Sequence, residues 1–192
     1  MMSFQISDCD AVLSRRSVLM GGLTLSLSAL ISVGSFKPVM AATGNGQYST
    51  SFKNQRSGET FSGVYRIGNK YLPQAFERIN YVMRDVREDE IFPMDPRVID
   101  IISIVHRYLD VNEPYELLSG YRSPHTNSEL RSHSEGVAKR SLHMSGQAVD
   151  VRLGEISAKN IRQAAVKLGA GGVGYYPRSG FVHMDSGDFR TW

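Results

Sequence analysis

The chain has 192 residues, with 22 Lys and Arg against 19 Asp and Glu and a net charge of +3. That length suits one domain, and so slight a positive balance gives no argument for a nucleic-acid partner, although it is compatible with an anionic polymer. The single cysteine, Cys9, excludes a disulfide framework.

Arg15 and Arg16 form a basic pair, an apolar run diluted by Ser, Thr and Gly follows from Val18 to about Val33, and Val39-Met40-Ala41 precedes Ala42. A basic region, an apolar region and a small-residue cleavage site read as a secretory signal over residues 1–41, leaving 42–192 as the mature domain. A membrane anchor is the competing reading. The run is short for about 30 Å of hydrocarbon and rich in hydroxyl groups, so no stable membrane insertion is expected after cleavage. Ser14-Arg15-Arg16-Ser17-Val18-Leu19 resembles a twin-arginine export motif, with Val18 where Phe is usual. The expected location is the periplasm. Cys9 lies upstream of the cut, so the mature domain would hold no thiol for metal binding or nucleophilic attack. About 150 residues bury a core without covalent staples.

Residues 51–67 alternate loosely around Ser57-Gly58 and predict a hairpin. From Pro73 the spacing turns helical, through Phe76, Ile79, Val82, Met83 and Val86. Asp95-Pro96 reads as an N-cap with proline at the first helical position. The helix it opens carries Val98, Ile101, Ile102, Val105 and Leu109 on one side. A short strand is expected over 115–119, then a long polar loop with a short helix over 120–142, a length that points to function. Residues 147–153 alternate as a strand. Ser157 caps a helix that runs to Leu168 and stops at Gly169 and Gly171-Gly172. Residues 173–176 and 181–185 read as strands flanking a turn. The sum is an α+β domain, with helices packed on a mainly antiparallel sheet.

Along 147–153, Val149 and Val151 point one way while Ala148, Asp150 and Arg152 point the other. Along 181–185, Val182 and Met184 suit the core, and Phe181, His183 and Asp185 share the opposite side. Gly146 lets the preceding loop fold back so that His143 approaches Asp150. If the two strands are neighbours, His143, Asp150 and His183 converge. Two imidazoles, a carboxylate and an open fourth position are the composition of a catalytic zinc site. Spacing alone leaves this open against a structural role for each histidine. His106 on its amphipathic helix and His125 in its loop take the structural reading, and His133 lies near the expected cleft in no ligand spacing.

Ser-x-His-x-x-Gly-x-Ala-x-Asp at 141–150, followed by Phe181-Val182-His183-Met184-Asp185, resembles the D-alanyl-D-alanine metallopeptidase group, peptidase family M15. Ser119-Gly120-Tyr121-Arg122-Ser123 and Gly171-Gly172-Val173-Gly174-Tyr175-Tyr176-Pro177 match further segments of the pattern. The likeness runs from about residue 70 onward and is greatest to the branch of murein endopeptidase K. It implies the hedgehog and D-Ala-D-Ala peptidase type of fold, with a zinc cleft. It also implies one zinc per chain on His143, Asp150 and His183, and Arg122 binding a substrate carboxylate or stabilising the oxyanion. The substrate implied is the stem peptides of peptidoglycan, cut at their cross-links. Many members of the group carry an acid three residues before the last ligand, where this chain has Gly180. Asp185 remains as the general base, or else orients a ligand. Arg131, Lys139, Arg140 and Arg178 lie in or near the cleft segments and could meet substrate carboxylates. Two alternatives share these residues: a carboxypeptidase trimming terminal D-amino acids, and a non-catalytic module that binds peptidoglycan and keeps the metal as a structural element.

Overall fold

The computed structural model describes residues 46–192, so the expected signal at residues 1–41 lies outside the described residues. The elements in chain order are β1 (Gln47–Asn54), β2 (Thr60–Ile67), β3 (Lys70–Tyr71), α1 (Pro73–Val82), α2 (Pro96–Tyr108), β4 (Tyr115–Ser119), α3 (Pro124–His133), a 3-10 turn (Leu142–Ser145), β5 (Ala148–Arg152), α4 (Ala158–Leu168), β6 (Gly172–Tyr176), β7 (Phe181–Asp185) and β8 (Arg190–Thr191). The eight strands form one sheet in the order β3-β2-β1-β4-β5-β7-β6-β8. Only the β1–β4 and β6–β8 pairs are parallel. The fold is therefore the expected α+β arrangement on a mostly antiparallel sheet. No helix among the described residues is long and apolar enough to cross a membrane.

The β1–β2 hairpin forms because its alternate residues bury Phe52 and Phe61, whose rings stack at 5.4 Å. The Asp95 carboxylate caps α2 by accepting from the Arg97 N–H at 2.9 Å. This helix buries Val98, Ile99, Ile101, Ile102 and Val105, and packs on β1, β7 and α4. Val149 and Val151 of β5 and Val182 and Met184 of β7 complete the same core. Those four residues are fully buried, as the strand alternation predicts, and burying one such side chain contributes about 1.5–3 kcal/mol.

Two expectations are corrected. The helix expected through Val86 stops at Val82, because the Met83 carbonyl accepts the Tyr121 N–H at 2.8 Å and is held by β4's continuation instead. His125, expected in a loop, lies in α3. The Ser123 hydroxyl caps that helix by accepting from the Thr126 N–H at 3.0 Å, with Pro124 at its first position. Helix α3 is too polar to join the core layer, and its Leu130 flanks the cleft described next.

Candidate metal centre and cleft

β5 and β7 are neighbours, in a register that sets Asp150 opposite His183. With the valines and Met184 directed into the core, both functional side chains stand on the other face. His143 reaches them from the 3-10 turn. That turn is closed by Gly146 at φ 66°, where a Cβ would come within 2.2 Å of the Pro93 carbonyl oxygen. Only glycine serves there on both counts. The Arg122 N–H donates to the His143 carbonyl at 3.2 Å, which ties the turn to the end of β4.

With the two strands neighbours, the three side chains converge. His143 Nε2 lies 3.3 Å and His183 Nδ1 2.9 Å from Asp150 Oδ1, and the two nitrogens are 3.2 Å apart. Ligand atoms about 2.0–2.1 Å from a tetrahedral zinc would be separated by about 3.3 Å, so this triangle has the dimensions of one tetrahedral face. The outward nitrogens are occupied. His143 Nδ1 donates to the Gly120 carbonyl at 2.7 Å, and His183 Nε2 donates to Asp185 Oδ2 at 3.0 Å. With those hydrogens directed outward, the inward nitrogens present lone pairs beside a carboxylate, and a cation among them relieves the repulsion. The residues therefore fit a metal ion.

The electrostatics agree. Burial pushes the His143 pKa down against the pull of Asp150. Burial also opposes charge on His183, but hydrogen bonds with Asp150 and Asp185 prevail and hold it up at about 9. Burial works against charge on Asp150 too, yet the two imidazoles keep its carboxyl well below the usual range. The cluster thus favours positive charge at its centre.

Asp185 shares the His183 face of β7 but meets the ring on its far nitrogen. Its side chain is fully buried. Oδ1 accepts from the Gly172 and Gly187 N–H groups at 3.1 and 2.9 Å, and Oδ2 accepts from Arg190 Nη2 at 2.7 Å. A Cβ on Gly172 would come within 2.4 Å of Oδ2, so this glycine makes room for the carboxylate besides ending the turn after α4. Burial raises the Asp185 pKa, and its bonds to His183 and Arg190 outweigh that and hold it below the usual range.

Arg122 is partly buried, which pushes its pKa down while Asp150 pulls the other way. Nη2 donates to Ser119 Oγ at 3.2 Å and Asp150 Oδ2 at 3.4 Å, and Nη1 to Asn127 Oδ1 at 3.5 Å. A cleft of about 460 Å³ opens over Arg122, His143, Asp150 and His183, walled by Leu130, Tyr176, Phe181 and Trp192. Arg140 lines it, and Arg131, Lys139 and Arg178 are not among its lining residues. Asp150 is the one carboxylate lining it among the described residues. The remaining histidines stand elsewhere. His106 bonds the Glu113 carbonyl at 2.7 Å, His125 bonds Glu88 at 3.0 Å, and His133 bonds the Glu129 carbonyl at 2.9 Å.

Sequence reasoning missed Arg190 and Trp192. The Trp192 ring lies 5.3 Å from that of His183, and its Nε1–H donates to the Tyr176 hydroxyl at 3.0 Å. Gly174 was the available signal, since glycine inside a strand marks a close approach. A Cβ there would come within 2.7 Å of the indole.

A family model described as "Peptidoglycan L,D-endopeptidase MepK" (Peptidase_M15_2) matches residues 42–192. The peptidoglycan L,D-endopeptidase MepK of Escherichia coli is 42% identical over 142 residues, covering 74% of this chain and 78% of that protein. The probable peptidoglycan L,D-endopeptidase MepK of Haemophilus influenzae is 35% identical over 184 residues, covering 93% and 94%. Among solved structures, the Serratia marcescens L-Ala D-Glu endopeptidase ChiX overlaps 40% of this chain and 62% of its own, at 25% identity and a TM-score of 0.32.

Proposed function

This chain belongs to the M15-type family of peptidoglycan L,D-endopeptidases, and on that premise we propose that it is a zinc-dependent enzyme hydrolysing peptide cross-links between stem peptides. The observation that carries the reading is the triangle of His143 Nε2, Asp150 Oδ1 and His183 Nδ1 at the floor of a cleft that also holds Arg122. Two imidazoles and one carboxylate suit zinc. When bound, the metal supplies Lewis-acid polarisation of a carbonyl and activation of water. His143 and His183, fixed through their outward N–H groups, present neutral nitrogens to it. Arg122 is anchored by Ser119, Asn127 and Asp150, and its remaining N–H groups are available to a substrate oxygen that gains charge during attack. Leu130, Phe181 and Trp192 provide apolar wall on either side, which strengthens those interactions by excluding water.

We assign Asp185 to orienting His183. Its Oδ2 lies against Nε2, so the imidazole stands between it and the ligand positions. In Asp185→Asn an amide N–H₂ would face one of two donor sets, the His183 and Arg190 pair or the Gly172 and Gly187 pair. The expected result is metal affinity lowered by about 10- to 100-fold, with turnover restored by added zinc. A turnover defect that excess zinc leaves untouched would return Asp185 to the role of base.

The family match begins at residue 42, just after the expected cleavage site, which supports export to the periplasm. N-terminal sequencing of protein recovered from cells tests this, and an intact leader on active protein would oppose it. The function itself is tested by mass spectrometry of cross-linked muropeptides incubated with residues 42–192. Cleaved dimers, absent after chelation, are expected. Release of a terminal D-amino acid with the cross-link intact would favour a carboxypeptidase, and no product would favour a binding module.

A further inference from the structure

On one side Arg122 faces the cleft. On the other it borders a smaller hollow of about 190 Å³, reached by the β1–β2 turn and the segment after α1, with Arg56 and Arg87 on its wall. The two spaces meet, because Arg122, Leu130, Asp150 and Phe181 line both.

Two of its guanidinium groups are left without a carboxylate partner. Arg84 is neutralised by Glu59 and Asp89, each at 2.6 Å. The Asp85 oxygens are occupied by backbone groups, accepting from the Arg87 N–H at 3.0 Å and the Ser123 N–H at 2.9 Å. Arg122 is shared with Asp150. Arg56 and Arg87 are exposed, and their side chains have no hydrogen bond or ion pair among the described residues. Asp85 and Asp150 stand on the same wall, but the Asp85 oxygens are taken by backbone groups and Asp150 is shared with Arg122, so Arg56 and Arg87 are the guanidinium groups left to receive an anion. Continuity with the cleft means that the anion can be part of the molecule being cut.

We infer that this hollow is a second anion subsite, in which Arg56 and Arg87, backed by Arg122, bind a carboxylate of the substrate away from the scissile bond. The inference rests on the peptidase reading, because it takes the ligand to be an acidic stem peptide. It gives the enzyme a preference for cross-links whose neighbouring carboxylates are free, since an amide at the same position brings no charge to pair.

The test uses cross-linked muropeptide dimers with free or amidated carboxylates, and the double variant Arg56→Gln with Arg87→Gln. Wild-type protein is expected to favour the free acid by about tenfold or more in kcat/KM. The double variant should lose about 10- to 100-fold in kcat/KM on the free acid, the scale of lost charge-assisted hydrogen bonds. That loss should come through KM, with the amidated substrate unaffected. Both side chains are exposed and unpaired, so the melting temperature should not move. Equal use of both substrates by the wild type, or an undiminished preference in the variant, overturns the subsite. If the wild type cuts neither dimer, the peptidase reading fails and calorimetric binding of the same two dimers decides the subsite alone. Tighter binding of the free acid, lost in the double variant, supports it, and equal binding overturns it.

Discussion

Asp150→Ala is expected to remove metal and turnover together, with activity falling by about 1000-fold or more. Asp150 Oδ1 is the shared corner of the proposed ligand triangle, within 3.3 Å of both inward imidazole nitrogens. Its loss removes one of the three proposed ligands and the one carboxylate lining the cleft among the described residues. It also leaves Arg122 beside two histidines with no charge between them, which repels a cation. Losing the metal's stabilisation of the reacting oxygen, several kcal/mol, corresponds to about 10³ in rate at about 4 kcal/mol. Elemental analysis of the purified variant and muropeptide turnover at matched protein concentration give the two readouts. Full metal content with normal turnover would sink the assignment of the site. Thermal melting is the necessary control, because Asp150 is buried and hydrogen-bonded.

Arg122→Lys is expected to lower kcat/KM by about 100- to 1000-fold, the scale of losing a preorganised donor to a developing oxyanion, while metal content stays normal. The guanidinium meets Ser119 Oγ, Asn127 Oδ1 and Asp150 Oδ2 at once. That fork is held in place before substrate arrives. An ammonium keeps the charge but cannot span those anchors and still present a planar pair of N–H groups to the cleft. Wild-type kinetics in this variant would exclude Arg122 from the chemistry. A fall in metal content would instead assign it chiefly to holding Asp150.

Much of this site was legible because strand alternation is a local property. Val149 and Val151, like Val182 and Met184, had to share the core side, so Asp150 and His183 had to share the other. Gly146 announced a chain reversal after His143, and its closeness to the Pro93 carbonyl explains why no other residue serves. The caps at Asp95 and Ser157 were readable for the same reason, since each acts within three residues of its own position. Ser123-Pro124 carries the same signal as Asp95-Pro96, and it was passed over because the polar composition around it reads as loop.

What the sequence by itself determined was the order of the longer elements and the sheet faces, which follow from periodicity, caps and turn residues acting over a few positions, while the choice of His143, Asp150 and His183 rested on the resemblance to the M15 group. Which strands lie side by side was decided by packing over the whole domain, and that packing alone set Asp150 opposite His183. The role proposed for Asp185 depends on which imidazole nitrogen it meets, a matter of ring orientation on which strand alternation is silent. Arg190 and Trp192 come to the site through β8, a two-residue strand too short to show a period. Arg56 and Arg87 are separated from Arg122 by more than thirty residues of chain, and nothing local relates them. They share one hollow because the β1–β2 turn and the segment after α1 both pack beside the end of β4, so a cluster of charges that is dispersed in sequence exists only once the sheet has formed.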